Sequence, residues 1–251
     1  MNVDEEVELK KEFQLERVIL FSDAVFAIII TIMVLDIRLP DDFKHATLKE
    51  AQKEIIHLIP KVFAYCISFF LVARFWRNHL RMFSLLKDYD NKLLGFNLFY
   101  LFSISMFPFA VTLISGTFDI YSIQYAIAVY FYASILFLSI FTETLLSRYL
   151  MINRARLCVA TESLDAILKY KALRLNLYII PVLYVGIICL IYFGINAVFV
   201  IITFSLYGVA MKRINKIYYP AKDSKGPILS RLYHSGQKIF RPRRNKKQLI
   251  K

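Results

Sequence analysis

Residues 16–38 read ERVILFSDAVFAIIITIMVLDIR, a long apolar run that contains a carboxylate, Asp23. A helix needs about 20 residues to cross the roughly 30 Å hydrocarbon core of a bilayer, and this run is long enough. Carboxylates inside spans are rare because burying an unpartnered charge is costly, so Asp23 is expected to have hydrogen-bonding partners. The run therefore predicts a first membrane-spanning helix with a polar site near its start.

The rest of the chain repeats this pattern of long apolar runs bounded by charged residues. Hydrophobic residues make up 58% of the 251 residues, which excludes an ordinary soluble domain. The runs are too long for strands and lack the alternation of a barrel. We therefore predict an all-α, polytopic membrane protein with six transmembrane helices. The candidate spans are residues 18–37, 55–76, 93–115, 120–146, 175–193 and 195–211.

Lys and Arg residues are unevenly divided between the two sets of connections. The N-terminus, the second and fourth connections and the C-terminal tail hold 27 of them, and the other connections hold 5. Cytoplasmic connections carry the excess of basic residues, so both termini are predicted to be cytoplasmic. The predicted organisation is a cytoplasmic segment at residues 1–16, a six-helix domain at residues 17–215 and a basic cytoplasmic tail at residues 216–251.

The formal net charge of +13 comes mostly from the tail. Residues 212–251 contain 13 Lys and Arg residues and a single Asp. A basic segment next to a span is attracted to anionic lipid by about 1 kcal/mol per basic residue. A tail that binds RNA would need aromatic stacking platforms, and the aromatic residues of this tail are too scattered to form one. We expect anionic lipid as the tail's partner, and no nucleic acid.

Signatures of enzymes and metal sites are absent from the sequence. It has no Walker loop, no dinucleotide-binding glycine fingerprint, no HExxH and no GxSxG. Cys66, Cys158 and Cys189 lack the spacing of metal or redox motifs. We expect no catalytic residues, no metal site and no cofactor.

Polar residues from several helices are expected at the level of Asp23. Asp23 lies about 9 Å along its helix from Arg17, at 1.5 Å per residue. The topology places Trp76 and His79, at the end of the second helix, and Asn97, near the start of the third, at the same level. Asp23 is therefore predicted to accept hydrogen bonds from groups such as the Trp76 indole, His79 or Arg17. The alternative is a carboxylate that reaches the wet interface.

The motif residues resemble a known family. Arg17, Phe21, Ser22 and Asp23 reproduce the RxxxFSD signature of the transmembrane protein 175 family of potassium channels. The resemblance extends to Phe75-Trp76-x-x-His79 and to Phe107-Pro108-Phe109. Chain length and helix number fit the family's bacterial six-helix form over residues 13–215, which implies a bacterial plasma membrane. One departure is Ala24, where many bacterial members have glycine.

The resemblance implies a homotetramer in which four copies of the first helix line a pore for potassium. Carried over by position, the hydrophobic constriction falls at Ile28, further pore layers fall at Ile32 and Leu35, and Thr31 lies beside the constriction. On a helical wheel these residues share one stripe with Ala24. A stripe of this kind could equally be an ordinary packing face. The resemblance thus implies a leak-type, potassium-selective channel with a hydrophobic gate, and the sequence indeed lacks the TVGYG filter loop of ordinary potassium channels.

Two alternatives remain open. A proton-coupled secondary transporter would place ionisable groups near the bilayer midplane, whereas Asp23 and Glu143 both fall towards the cytoplasmic side. A membrane scaffold that recruits partners through its basic tail would use the polar layer only to support the fold.

Overall fold

The chain is almost entirely helical in the computed structural model. The structure describes residues 3–38, 43, 47–116, 122–159, 164–192 and 198–219, and within these ranges it has no strands. Among these described residues, six helical segments are long and apolar enough to cross a membrane. The prediction of an all-α, polytopic protein with six spans is confirmed. The basic tail from residue 220 onward lies outside the described residues.

Ten α-helices make up the described part of the chain. The first ends in a 3-10 turn, Met33–Asp36, and the third span consists of two helices, α3 and α4. In chain order the helices are α1 Val3–Ile32, α2 Leu48–Phe83, α3 Asn91–Ser105, α4 Phe107–Ser115, α5 Ile123–Ile152, α6 Arg154–Leu157, α7 Leu164–Leu168, α8 Tyr170–Leu173, α9 Asn176–Tyr192 and α10 Val198–Tyr218.

Helix α5 is the centre of the bundle. Half of its residues are buried, and it packs against α3, α4, α9 and α10. Helix α1 packs on the other side of α3 and α4 and also against α2. The beginning of α1 and the ends of α2 and α5 lie together at one end of the bundle, which we call the basic end. The motif residues of α1 are thus placed beside the ends of its neighbours.

Helix ends differ from the predicted spans where local signals extend or interrupt a helix. Helix α2 starts at Leu48, before its apolar run, because Thr47 and Glu50 form a capping box in which the Thr47 N–H donates to Glu50 Oε2 at 2.8 Å. The third span is broken at Met106. Pro108, which lacks a backbone N–H, lies in the first turn of α4, where that N–H is not needed.

Asp90 fixes the corner between α2 and α3. Its carboxylate caps α3 by accepting from the Leu93 N–H at 2.7 Å, and it also accepts from the Tyr149 hydroxyl at 2.6 Å and pairs with Arg156. Burial alone would raise the pKa of the Asp90 carboxyl, but these hydrogen bonds and the nearby guanidinium lower it overall. The charged form is therefore favoured in the folded chain.

We expect Asp90→Asn to reduce the acid sensitivity of the fold. A lowered pKa means that the folded state binds fewer protons than the unfolded state, so the stabilisation is present at neutral pH and is lost as the pH falls below about 4. Thermal unfolding of the purified wild-type chain and of the variant, at pH 7 and at pH 3, measures this effect. An equal loss of stability on acidification in both proteins would contradict it.

Candidate functional site

A row of buried polar side chains joins α1, α2 and α3. His79 on α2 lies 2.8 Å from Asn97 Oδ1 on α3, measured from its Nε2 atom. Asn97 Nδ2 donates to Ser22 Oγ on α1 at 3.0 Å, and the Ser22 hydroxyl donates to the Val18 carbonyl at 2.9 Å. Ser22, His79 and Asn97 are fully buried. The row therefore ties three helices together away from solvent.

The order of donors in the row determines the tautomer of His79. Because the Asn97 amide nitrogen donates to Ser22, its oxygen is the group that faces His79, and that oxygen can only accept. His79 must therefore carry its proton on Nε2. Its Nδ1 atom is buried and has no hydrogen-bond partner within the described residues. The ring stacks on Phe83 with centroids 4.0 Å apart and also contacts Tyr100.

Asp23, the next residue after Ser22, contacts α2 by a second route. The Trp76 indole Nε1 donates to Asp23 Oδ1 at 2.9 Å, and both side chains are partly exposed. Adjacent residues on α1 thus make two separate connections, Ser22 to α3 and Asp23 to α2. Together they fix the rotation of α1 about its own axis.

The structure does not bring every motif residue into this network. Arg17 and Phe21 lie on the exposed side of α1, and Phe21 is 52% exposed. The carboxylate of Asp23 is held by Trp76. The motif is therefore divided between an inward-facing pair, Ser22 and Asp23, and an outward-facing pair, Arg17 and Phe21.

The stripe of apolar residues on α1 is uncovered. Ile28, Ile32 and Leu35 are 55%, 45% and 55% exposed, and Ala24 and Thr31 on the same stripe are exposed as well. The opposite face of the same helix is buried in the core and includes Phe26, Ile29 and Met33. This helix has apolar residues on every face, and only packing distinguishes the covered face from the uncovered one.

Thr31 is the residue of this uncovered stripe that carries a hydroxyl group. Its Oγ1 atom donates towards two backbone carbonyls of its own helix, Ala27 O at 3.0 Å and Ile28 O at 2.9 Å. Such bonding back to the preceding turn is common for threonine in helices. The proton is therefore used within α1, and the oxygen lone pairs remain on the exposed side.

Polar contacts along α5 were missed by the sequence reasoning. Asn78 Nδ2 donates to the buried Glu143 carboxylate at 2.8 Å, and the hydroxyls of Ser103 and Thr142 lie 3.0 Å apart between α3 and α5. The signal in the sequence is a series of Ser and Thr residues at helical spacing around Glu143. Small polar residues of this kind commonly join helices inside membranes.

The fold and the site together define a polytopic membrane protein with six helical spans. Its first helix is held to its neighbours by a polar motif and exposes an apolar stripe. The family model described as "Endosomal/lysosomal potassium channel TMEM175" matches residues 17–108, which include the motif, Trp76, His79 and Asn97. Over these residues the chain is similar to the TMEM175 family, which is a family of ion channels.

Bacterial potassium channels and a solved structure are also similar to this chain. A potassium channel of Chryseobacterium sp. (strain P1-3) is 39% identical over 90 residues, which are 36% of this chain and 43% of the relative. A potassium channel of Chamaesiphon minutus is 32% identical over 109 residues, 43% of this chain and 53% of the relative. The chain thus spans about half the length of the curated relatives it matches.

The solved structure is the crystal structure of a lysosomal potassium-selective channel TMEM175 homolog from Chamaesiphon minutus. It superposes on this chain with a TM-score of 0.54 and 28% sequence identity, and the match covers 72% of this chain and 96% of that chain. The likeness therefore extends well beyond the motif helices.

Replacing Asp23 tests the connection to α2. Asp23→Ala leaves the Trp76 indole without its acceptor, and we expect a loss of about 1 kcal/mol in folding stability because a charged hydrogen bond is lost at a partly exposed position. Thermal unfolding of the purified variant measures the loss, with Asp88→Ala as a control for removal of a charge. A stable variant with changed ion preference would instead place Asp23 on the ion path.

Proposed function

We propose that this chain is one subunit of a potassium-selective, leak-type cation channel, a homotetramer whose pore is lined by α1. The observation that carries the proposal is the uncovered apolar stripe of α1, which is exposed although the same helix is anchored in the core. The names of the similar bacterial proteins, which are potassium channels, support potassium as the permeant ion. Potassium is here the transported ion, and the proposal requires no cofactor.

The anchoring of α1 explains why this stripe faces outward. Ile28 is six residues from Ser22, which places the two side chains about 120° apart around a helix with 3.6 residues per turn. Ser22 and Asp23 hold one side of α1 against α3 and α2. Ile28, Ile32 and Leu35 are therefore turned away from the bundle, towards the axis of a proposed tetramer.

The proposed gate is a ring of four Ile28 side chains. A narrow apolar constriction can lose its water, and an ion that crosses it must give up hydration with no charged group to replace it. Widening the ring by rotating or splaying α1 would admit water and ions. Potassium loses its hydration shell more easily than sodium, which favours potassium at such a constriction.

Flux measurements on purified protein in liposomes test the proposal directly. Potassium and sodium gradients are imposed in turn, with and without a proton gradient. We expect downhill, electrogenic potassium flux that does not require a proton gradient. Flux that depends on the proton gradient would indicate the alternative, a proton-coupled secondary transporter, and absence of flux would favour a scaffold.

The same proposal includes a topology and a location. Both termini are placed in the cytoplasm by the excess of Lys and Arg at the basic end. The protein is placed in the cell membrane as a multi-pass protein, with the basic tail against anionic lipid and no nucleic acid partner. Accessibility of a tag at either terminus in intact and permeabilised cells checks the orientation.

Thr31→Val tests the hydroxyl beside the constriction. The substitution keeps the shape of the side chain and removes the oxygen, so four oxygens are lost from the proposed pore. We expect a fall in the potassium-to-sodium permeability ratio of a fewfold, read from reversal potentials under bi-ionic conditions. If the hydroxyl only bonds back to Ala27 and Ile28, the ratio stays equal to that of the wild type.

A further inference from the structure

A cavity of about 190 Å³ lies at the basic end, away from the α1 stripe. The wall formed by α2 carries Arg74, Arg77 and Arg81, whose spacing of three and four residues places them on one face of the helix. Lys169, between α7 and α8, and Asn215, near the end of α10, complete the opposite wall. Helix α2 and the link between α7 and α8 thus bring four cationic side chains to one cavity, beside an amide from α10.

The charge of this cavity is not balanced by its own walls. Glu143 is the carboxylate among the lining residues, against four cationic side chains. It is buried, and its Oε1 atom already accepts from Asn78. The salt bridges of the described residues are Arg156 with Asp90 and Lys171 with Asp165, so none of the four cations of the cavity has one there. The cavity therefore has an excess of positive charge.

Asn215 adds a second and independent feature. Its Nδ2 atom donates to the Met211 carbonyl at 3.0 Å, whereas its Oδ1 atom is buried and has no hydrogen-bond partner in the described part of the chain. A buried acceptor without a partner is costly, and a donor on a bound molecule would satisfy it. The cavity thus offers several cationic donors, and Asn215 Oδ1 as an acceptor that lacks a partner in the described part of the chain.

We propose that this cavity binds a phosphate group that carries a hydroxyl-bearing substituent. Arginine guanidinium groups match phosphate oxygens with paired hydrogen bonds, and a hydroxyl of the substituent would donate to Asn215 Oδ1. The volume is equivalent to about six water molecules at 30 Å³ each, which suits a phosphate with a small polyol fragment. The basic tail of this chain has the wrong charge to fill it.

Two sources share this chemistry, a phosphatidylglycerol headgroup and a soluble polyol phosphate. The cavity lies near the helix ends, and Arg74 is about 10 Å deeper along α2 than Arg81, at 1.5 Å per residue. A lipid headgroup would reach it from the bilayer, and a soluble ligand would reach it from the aqueous side. The recognition of the phosphate and the hydroxyl is the same in both cases.

Ligand-dependent thermal stability of the full chain in neutral detergent tests the proposal. A ligand that binds only the folded state raises the unfolding temperature in a dose-dependent way. The probes are phosphatidylglycerol, glycerol 3-phosphate and inorganic phosphate, with phosphatidylcholine as the neutral lipid. We expect a rise with phosphatidylglycerol or glycerol 3-phosphate, a smaller one with inorganic phosphate and none with phosphatidylcholine.

Variants of the lining residues distinguish this cavity from the general basic surface. Arg77→Gln and Arg81→Gln should each weaken the apparent affinity about tenfold, the effect expected for loss of one charge-assisted hydrogen bond. The matched control is Arg154→Gln, an exposed arginine at the same end that does not line the cavity. Asn215→Leu should reduce the preference for glycerol 3-phosphate over inorganic phosphate.

A variant outside α2 tests the cavity even if the arginine variants impair the folding of α2. Lys169→Asn removes a charge from the opposite wall, and asparagine tolerates the positive φ of 53° found at this position. A rise in the unfolding temperature with phosphatidylglycerol alone supports the proposal with a lipid as the ligand. A rise in the unfolding temperature with glycerol 3-phosphate supports the proposal with a soluble ligand. Equal responses in the wild type, Arg154→Gln and the lining variants, or no response to any probe, would overturn it.

Discussion

Ile28→Asn and Ile28→Ala are expected to raise potassium flux through the reconstituted protein by about tenfold, which corresponds to about 1.4 kcal/mol removed from the barrier. The reason is that the proposed constriction depends on apolar bulk, and a smaller or polar side chain keeps it wet. The potassium-to-sodium permeability ratio should fall in the same variants. Single-channel currents and liposome flux measure both quantities.

The matched control for Ile28 is Ile127 on α5. Ile127 is 59% exposed, close to the 55% of Ile28, and it lies on a different helix. Ile127→Ala removes the same number of methyl and methylene groups from an exposed apolar position, so general effects of the substitution appear in both variants. Unchanged currents in the Ile28 variants, or an equal rise in Ile127→Ala, would remove Ile28 from the gate.

Asn97→Ala is expected to lower the free energy of unfolding by about 2–4 kcal/mol, because it leaves a cavity and strips buried groups of their partners. The His79 Nε2–H would lose its acceptor, and Ser22 would lose its donor on α3. Since this row also holds the rotation of α1, the variant should impair assembly. Equilibrium unfolding in mixed micelles and size-exclusion chromatography measure the two effects.

Asn153→Ala provides the comparison for Asn97. The Asn153 side chain donates to the Tyr149 carbonyl of its own helix and is only partly buried, so its loss should cost much less. A similar, small loss in both variants would show that the row of Ser22, Asn97 and His79 contributes little to holding the helices together.

The spans could be predicted because each apolar run is long enough to cross a bilayer and is bounded by charge. The ends of the helices could not be predicted from hydrophobicity alone. Thr47 and Glu50 start α2 before its apolar run, and Pro108 divides the third span, because caps and missing N–H groups act locally whatever the surrounding hydropathy.

The site could be predicted only in part. Topology alone brings Trp76, His79 and Asn97 to the level of Asp23. It cannot say that Ser22, and not Asp23, would contact Asn97, because that choice depends on the register and rotation of packed helices. The periodicity of apolar residues also could not predict which face of α1 is exposed. Phe26 and Ile28 are both apolar, and the fold buries only Phe26.

The direction of the hydrogen bonds in the buried row has a consequence for proton movement. From His79 the donors run in one direction, to Asn97, to Ser22 and finally to the Val18 carbonyl, which holds no transferable proton. At the other end, His79 Nδ1 has no partner in the described chain and its ring lies against Phe83 and Tyr100. The Asn97 amide lies between His79 and Ser22. It cannot transfer a proton unless its oxygen is protonated and its nitrogen is deprotonated. The row therefore holds three helices together and does not form a pathway for proton transfer.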